Sequence, residues 1–239
     1  MFSQFEISKD MDFKKYLNQY DTISVNMQEI LSRSHNVCEL ISRFGRLIIR
    51  DLKNEYPDVD YFDENDLIEA MQDVYEETRR PFVVIIDEWD VLIRDEAANK
   101  NVQEDYINFL RGMFKGTEPT KYIQLAYLTG ILPMKKEKTQ SALNNFDEFT
   151  MLSPSNLAQY VGFTEDEVRG LAREYNQDFD KVKMWYDGYL LRDYQVYNPR
   201  AVVSVMLKGE FKSYWSETAS YEAIVPLINM NYDGLKTAI

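Results

Sequence analysis

Phe82-Val83-Val84-Ile85-Ile86-Asp87-Glu88-Trp89-Asp90 is the stretch on which the fold of this chain turns. Its five leading apolar residues, rich in β-branched side chains, read as a buried strand. The two adjacent carboxylates that follow set an acidic pair at the strand's C-terminal edge. Successive strand residues point to opposite faces, so Asp87 and Glu88 are expected to serve two roles rather than one shared site. Asp90 starts a turn and steadies the loop.

Working outward, Thr22-Ile23-Ser24-Val25-Asn26-Met27 alternates as a strand does. Val37, Leu40, Ile41, Phe44, Leu47 and Ile48 then share one helical face. Pro57 and Asp58-Val59-Asp60 break that pattern. A second amphipathic helix follows through Leu67, Ile68, Met71, Val74 and Tyr75, capped at Asp63, and ends near Arg79-Arg80-Pro81. Beyond the acidic pair, Tyr106, Phe109, Leu110, Met113 and Phe114 mark another helix, closed by Gly116 and Pro119. Tyr122 to Leu128 reads as a further buried strand with Thr129 at its tip and Gly130 after it. Strands separated by helices imply crossover connections, hence an α/β fold with a parallel sheet and flanking helices. Glu148 to Leu152 is expected to add one short edge strand. Past Pro154 the character changes to helix after helix, which divides the chain into a core over 1–153 and a helical subdomain over 154–239. Thr164-Glu165-Asp166-Glu167 is a capping box that opens a helix through Arg173.

The chain has 239 residues, 45% of them hydrophobic, enough to bury a core of its own. A formal charge of −13 argues against nucleic-acid binding, although Lys135, Lys136 and Lys138 cluster in one loop-like segment. With one cysteine, Cys38, there is no internal disulfide and no cysteine-clustered zinc site. The single histidine, His35, excludes multi-histidine metal sites. The N-terminus lacks a signal-peptide pattern, and no apolar run reaches the ~20 residues of a membrane span, so a cytoplasmic protein is expected.

An apolar strand ending in Asp-Glu is how P-loop ATPases build their Walker B element: the first carboxylate holds Mg²⁺ and the second polarises the attacking water. An ordinary strand end with solvent-facing carboxylates gives the same pattern. Thr129 and Gly130 end the next strand, where ligands of parallel sheets bind and where a polar group contacts the γ-phosphate or the water. Arg169, Arg192 and Arg200 are candidates for an arginine that reaches the phosphates, with Arg200 carried forward; each also reads as a surface cation. The sequence contains no G-x-x-x-x-G-K-[ST], the backbone cradle for phosphates.

FVVIIDEWD, YLTGILPMKKEKTQSALNNFDEFTML, YVGFTEDEVRGLAREY, MWYDGYLL and VYNPRAVVSVM occur in this order. Together they resemble the AAA-ATPase-like family of bacterial and archaeal proteins, from about residue 20 to the end. The resemblance implies a P-loop NTPase-like core of the AAA type with a C-terminal helical lid. It implies ATP and Mg²⁺ as cofactors, Asp87 on the metal, Glu88 as catalytic base and Thr129 near the sensor position. Family members often carry a PD-(D/E)XK nuclease-like domain downstream, a possible partner in the intact protein. They place a phosphate loop upstream of the segment matching Thr22–Met27. Arg43-Phe44-Gly45 echoes that loop only in part and lies in a predicted helix, and Glu210-Phe211-Lys212 matches a bare E-x-K by chance.

The expectation is therefore an internal fragment of an ATPase that alone hydrolyses ATP negligibly. The alternative is a non-catalytic interaction module on the same scaffold. In that case Tyr122, Tyr127, Trp185, Tyr186, Tyr189, Tyr194 and Tyr197 would supply contact surface, whereas packing in the core is favoured for them.

Overall fold

The computed structural model describes residues 2–95, 100–132 and 143–214. Two compact units divide between Asp147 and Glu148. The lysines of 135–138 and the part of the expected helical subdomain beyond 214 lie outside the described residues.

The first unit runs α1 (Phe13–Tyr16), β1 (Asp21–Asn26), α2 (Met27–Leu31), α3 (Val37–Glu55), α4 (Leu67–Thr78), β2 (Phe82–Asp87), α5 (Val91–Asp95), α6 (Lys100–Phe114), α7 (Pro119–Tyr122) and β3 (Ile123–Leu128). The strands form one parallel sheet in the order β1-β2-β3. Each connection carries helices, as parallel pairing requires. Asn36 opens α3 by accepting the Glu39 N–H at 2.9 Å. Asp66 opens α4, with the Ile68 and Glu69 amides at 2.8 and 3.1 Å. The cap expected at Asp63 thus falls one turn later; Asp63 takes the Asn65 N–H in the preceding turn instead. Arg79, at a φ of 56°, ends α4 and turns the chain into β2.

The two faces of the sheet are unequally covered. Phe82, Val84 and Ile86 are fully buried, together with Leu40, Phe44, Ala70, Val74 and Leu110 of the helices. On the opposite face Val83 and Ile85 are half-buried. Their register partners Leu125 and Tyr127 are 54% and 49% exposed. Arg43-Phe44-Gly45 lies within α3, where Phe44 is buried core and Gly45 is buried beside the Leu67 side chain.

The second unit is not purely helical. After a 3-10 turn (Ser155–Tyr160) come β4 (Phe163–Thr164), α8 (Glu165–Glu174), α9 (Phe179–Tyr186), β5 (Tyr189–Leu191), β6 (Tyr194–Tyr197) and α10 (Pro199–Lys208). The strands form a small antiparallel sheet ordered β4-β6-β5. Strands of two to four residues carry too little alternation to be read from sequence. The edge strand expected at Glu148–Leu152 does not form; a single bridge, Thr150 to Ser153, closes a turn there. The capping box is present, with Thr164 and Glu167 bonding reciprocally. Val168, Val182, Tyr186, Tyr197, Val202, Val205 and Tyr214 build this unit's core. Gly188 allows its backbone to run against β6, where a Cβ would meet the Val196 carbonyl at 2.3 Å. Tyr122, Tyr186 and Tyr197 pack inward as expected, while Tyr127, Trp185, Tyr189 and Tyr194 are exposed.

Candidate functional site at the end of the parallel sheet

β2 is the central strand, and it ends on Asp87 with its carboxylate at the surface. Both neighbours reach that carboxylate. Asn26, the last residue of β1 and the register partner of Asp87, donates its Nδ2 to Oδ2 at 3.0 Å. Thr129, one residue past β3, donates its hydroxyl to Oδ1. The Glu88 N–H also points to Oδ1, at 3.1 Å. Asn26 is fixed in turn, since its Oδ1 caps α2 by accepting the Glu29 N–H at 3.2 Å. Its amide orientation is therefore dictated by two partners of opposite type. The alternation of Thr22–Met27 located the strand but not this role, which depends on register with β2.

Glu88 does not continue the strand. Its backbone is left-handed, at a φ of 56°, a conformation that costs energy for any residue with a Cβ. The turn is held from both sides. Trp89 donates its N–H to the Thr129 carbonyl at 2.9 Å, and the buried Tyr106 hydroxyl donates to the Trp89 carbonyl at 2.7 Å. Burial holds the Tyr106 phenol well above its ordinary range, so it stays a donor. Asp87 and Glu88 thus separate through a turn rather than through strand alternation.

Glu88 pairs with Arg94 on α5. Arg94 Nε also lies 3.4 Å from Asp90 Oδ2. Asp90 is fully buried, and that same oxygen accepts the Ile131 and Leu132 amides at 2.9 and 2.6 Å. The expectation that Asp90 steadies the loop is met in this form. Gly130 is required where it stands: a Cβ would lie 2.6 Å from the Trp89 ring and 2.7 Å from Asp90 Oδ1. Asp87, Glu88, Thr129 and Gly130, all singled out from sequence, are therefore gathered at one sheet end. Arg200 is exposed on the first turn of α10 in the second unit. Arg169 pairs with Glu165 at 3.0 Å and lies over the Phe179 ring. Arg192 takes a φ of 56° in the β5–β6 turn.

The Asp87 oxygens accept from two nitrogens, Asn26 Nδ2 and the Glu88 N–H, and from one oxygen, the Thr129 hydroxyl. The carboxylate itself is a hard oxygen donor of the kind that holds Mg²⁺ through water. Among the described residues no three His, Cys, Asp or Glu side chains converge into a metal cage. Mg²⁺ at a phosphate site needs none, because one carboxylate and the phosphates suffice.

A family model described as "Predicted AAA-ATPase" matches residues 1–139. The chain belongs to this AAA-ATPase-like family. The match takes in Asn26, Asp87, Glu88, Asp90, Arg94, Thr129 and Gly130, and stops before Arg200. The chain is also similar to an uncharacterized protein in the vnfD 5' region of Azotobacter chroococcum mcd 1, at 30% identity over 149 residues. That stretch is 61% of this chain and 28% of the relative, so the chain spans well under half of that protein's length. No solved structure matches it. No helix among the described residues is long and apolar enough to cross a membrane.

Proposed function

We propose that the end of the parallel sheet is the metal and water half of an ATP-hydrolysing site. Asp87 would hold Mg²⁺ through its water shell, Glu88 would polarise the attacking water, and Thr129 and Gly130 would face the terminal phosphate. Bound MgATP would supply the electrophilic phosphorus, and the metal would offset charge on its oxygens. The observation that carries the reading is the Asp87 carboxylate, set at the carboxyl end of the central strand and held from both flanking strands. Ligands of open parallel sheets bind at that edge. The family supports nucleotide use in general.

This sequence supplies no G-x-x-x-x-G-K-[ST]. Nucleotide affinity should therefore be weak in this chain alone, with turnover slow. Calorimetric titration with MgATP tests the reading. Binding that Asp87→Asn removes, with any turnover lost in Glu88→Gln, supports it. Binding and turnover indifferent to both changes refute it.

One observation favours a second reading, a non-catalytic interaction module. Val83, Ile85, Leu125 and Tyr127 form an apolar band on the less covered sheet face. Exposed contiguous apolar surface marks interaction sites. Such a module would keep its partner when Asp87 and Glu88 are both neutralised.

A further inference from the structure

Arg94 joins the two carboxylates that follow Asp87. Its Nη2 pairs with Glu88 Oε2, its Nε lies 3.4 Å from Asp90 Oδ2 as an ion pair without a hydrogen bond, and its side chain is 14% exposed. Asp90 Oδ2 also holds the amides of Ile131 and Leu132, the segment leaving β3. A continuous set of contacts therefore runs from the exit of β3 through Asp90 and Arg94 to Glu88. We propose that Arg94 is a positioning residue that parks Glu88 against α5 in an idle state, and that Asp90 ties this latch to residues 131–132. The proposal rests on the reading of Glu88 as the water-polarising carboxylate.

The chemistry follows from what a general base must do. It needs a free lone pair aimed at the water and must accept the water's proton. Glu88 Oε2 is spent on a guanidinium, and protonating the carboxylate would sacrifice that charge-assisted pair. Little water reaches the guanidinium, so the pair is screened less than a surface ion pair. The left-handed Glu88 backbone is fixed by the Trp89 and Tyr106 hydrogen bonds, so release has to come through the side chain. Asp90 supplies the route. Its Oδ1 has no hydrogen-bond partner among the described residues. A displacement of Ile131 and Leu132 would leave Oδ2 short of donors as well, and Arg94 would be drawn from Glu88 to satisfy it. Events at the exit of β3, next to Thr129, thereby set the position of Glu88.

The test uses the full chain with ¹⁵N-arginine and ¹³C-glutamate labels. In the wild type the Arg94 guanidinium N–H signals should exchange slowly with water. Glu88→Gln, which removes the charge at nearly unchanged side-chain size, should cause loss of the Nη signals, whereas Thr129→Val should retain them. Paramagnetic Mn²⁺ then reads position: relaxation of the Glu88 side-chain carbons should be stronger in Arg94→Gln than in the wild type, and Arg94→Lys should fall between. Nη signals that survive Glu88→Gln, or Mn²⁺ relaxation of Glu88 that is present and equal with and without Arg94, overturn the latch. Absence of Mn²⁺ broadening in every variant, with the Nη signals lost in Glu88→Gln, overturns the metal-site reading and leaves the parked ion pair standing.

Discussion

Asn26 and Asp87, 61 residues apart in sequence, are register partners at the ends of β1 and β2, and the Asn26 amide donates to the Asp87 carboxylate at 3.0 Å. The same Asn26 side chain opens α2. One residue therefore fixes a helix start and a candidate metal ligand. Asn26→Ala should cost about 1–3 kcal/mol in urea unfolding, the sum of a lost cap and a lost charge-assisted hydrogen bond. Asn26→Ser keeps a capping oxygen and should recover about 1 kcal/mol of that. Equal stabilities of Ala and Ser variants would mean that the cap carries nothing.

Gly130 is packed against the Trp89 ring and the Asp90 carboxylate. Gly130→Ala forces the exit of β3 away from both and should destabilise the protein by about 1–3 kcal/mol, as overpacking does. The near-ultraviolet signal of Trp89 should change as well. An unchanged melting temperature would show that the loop has room the structure does not give it.

The unequal faces of the sheet predict unequal mutational costs. Ile86→Ala removes a fully buried side chain and should cost about 2–5 kcal/mol. Leu125→Ala, more than half exposed at 54%, should cost less than about 1 kcal/mol. A large loss at Leu125 would mean that this face is covered in solution by a further layer.

Tyrosines set the alkaline limit. Burial pushes Tyr122 up to about 12, and its hydroxyl has no hydrogen-bond partner among the described residues. Tyr56 is raised to about 12, first by burial and then by its 2.8 Å hydrogen bond to Asp21. Each holds its proton more tightly folded than unfolded. Its contribution is complete below the unfolded value of ~10 and is lost as pH rises toward 12. The urea midpoint should fall between pH 10 and 12, and Tyr122→Phe should flatten that slope. A midpoint constant over that range would contradict it.

How far the sequence reached follows from which interactions are local. The strand at Phe82–Asp87 was legible as an apolar run closed by charge, and α3, α4 and α6 because burial imposes a period on each. β3 was legible as a strand but not as the buried one expected, since Tyr122 belongs to α7 and Leu125 and Tyr127 are about half exposed. The capping box at Thr164 and Glu167 spans three residues and was equally readable. Asn26 was missed as a site residue because only strand register brings it to Asp87. Arg94 was missed because its reach to Glu88 depends on the left-handed turn at Glu88 itself. The β4-β6-β5 sheet was read as helix because its strands are too short to show alternation. The cap moved from Asp63 to Asp66 because both aspartates precede the apolar helix, and only the turn decides which amides each can meet.

The most direct test of the central claim is line broadening by Mn²⁺ in the presence of ATP, read at the Asn26 side-chain amide and the Glu88 and Thr129 backbone amides. The account predicts selective broadening of these three signals in the wild-type chain and its loss in Asp87→Asn, with the fold retained. Broadening that is absent from the wild type, or unchanged in Asp87→Asn, would contradict it.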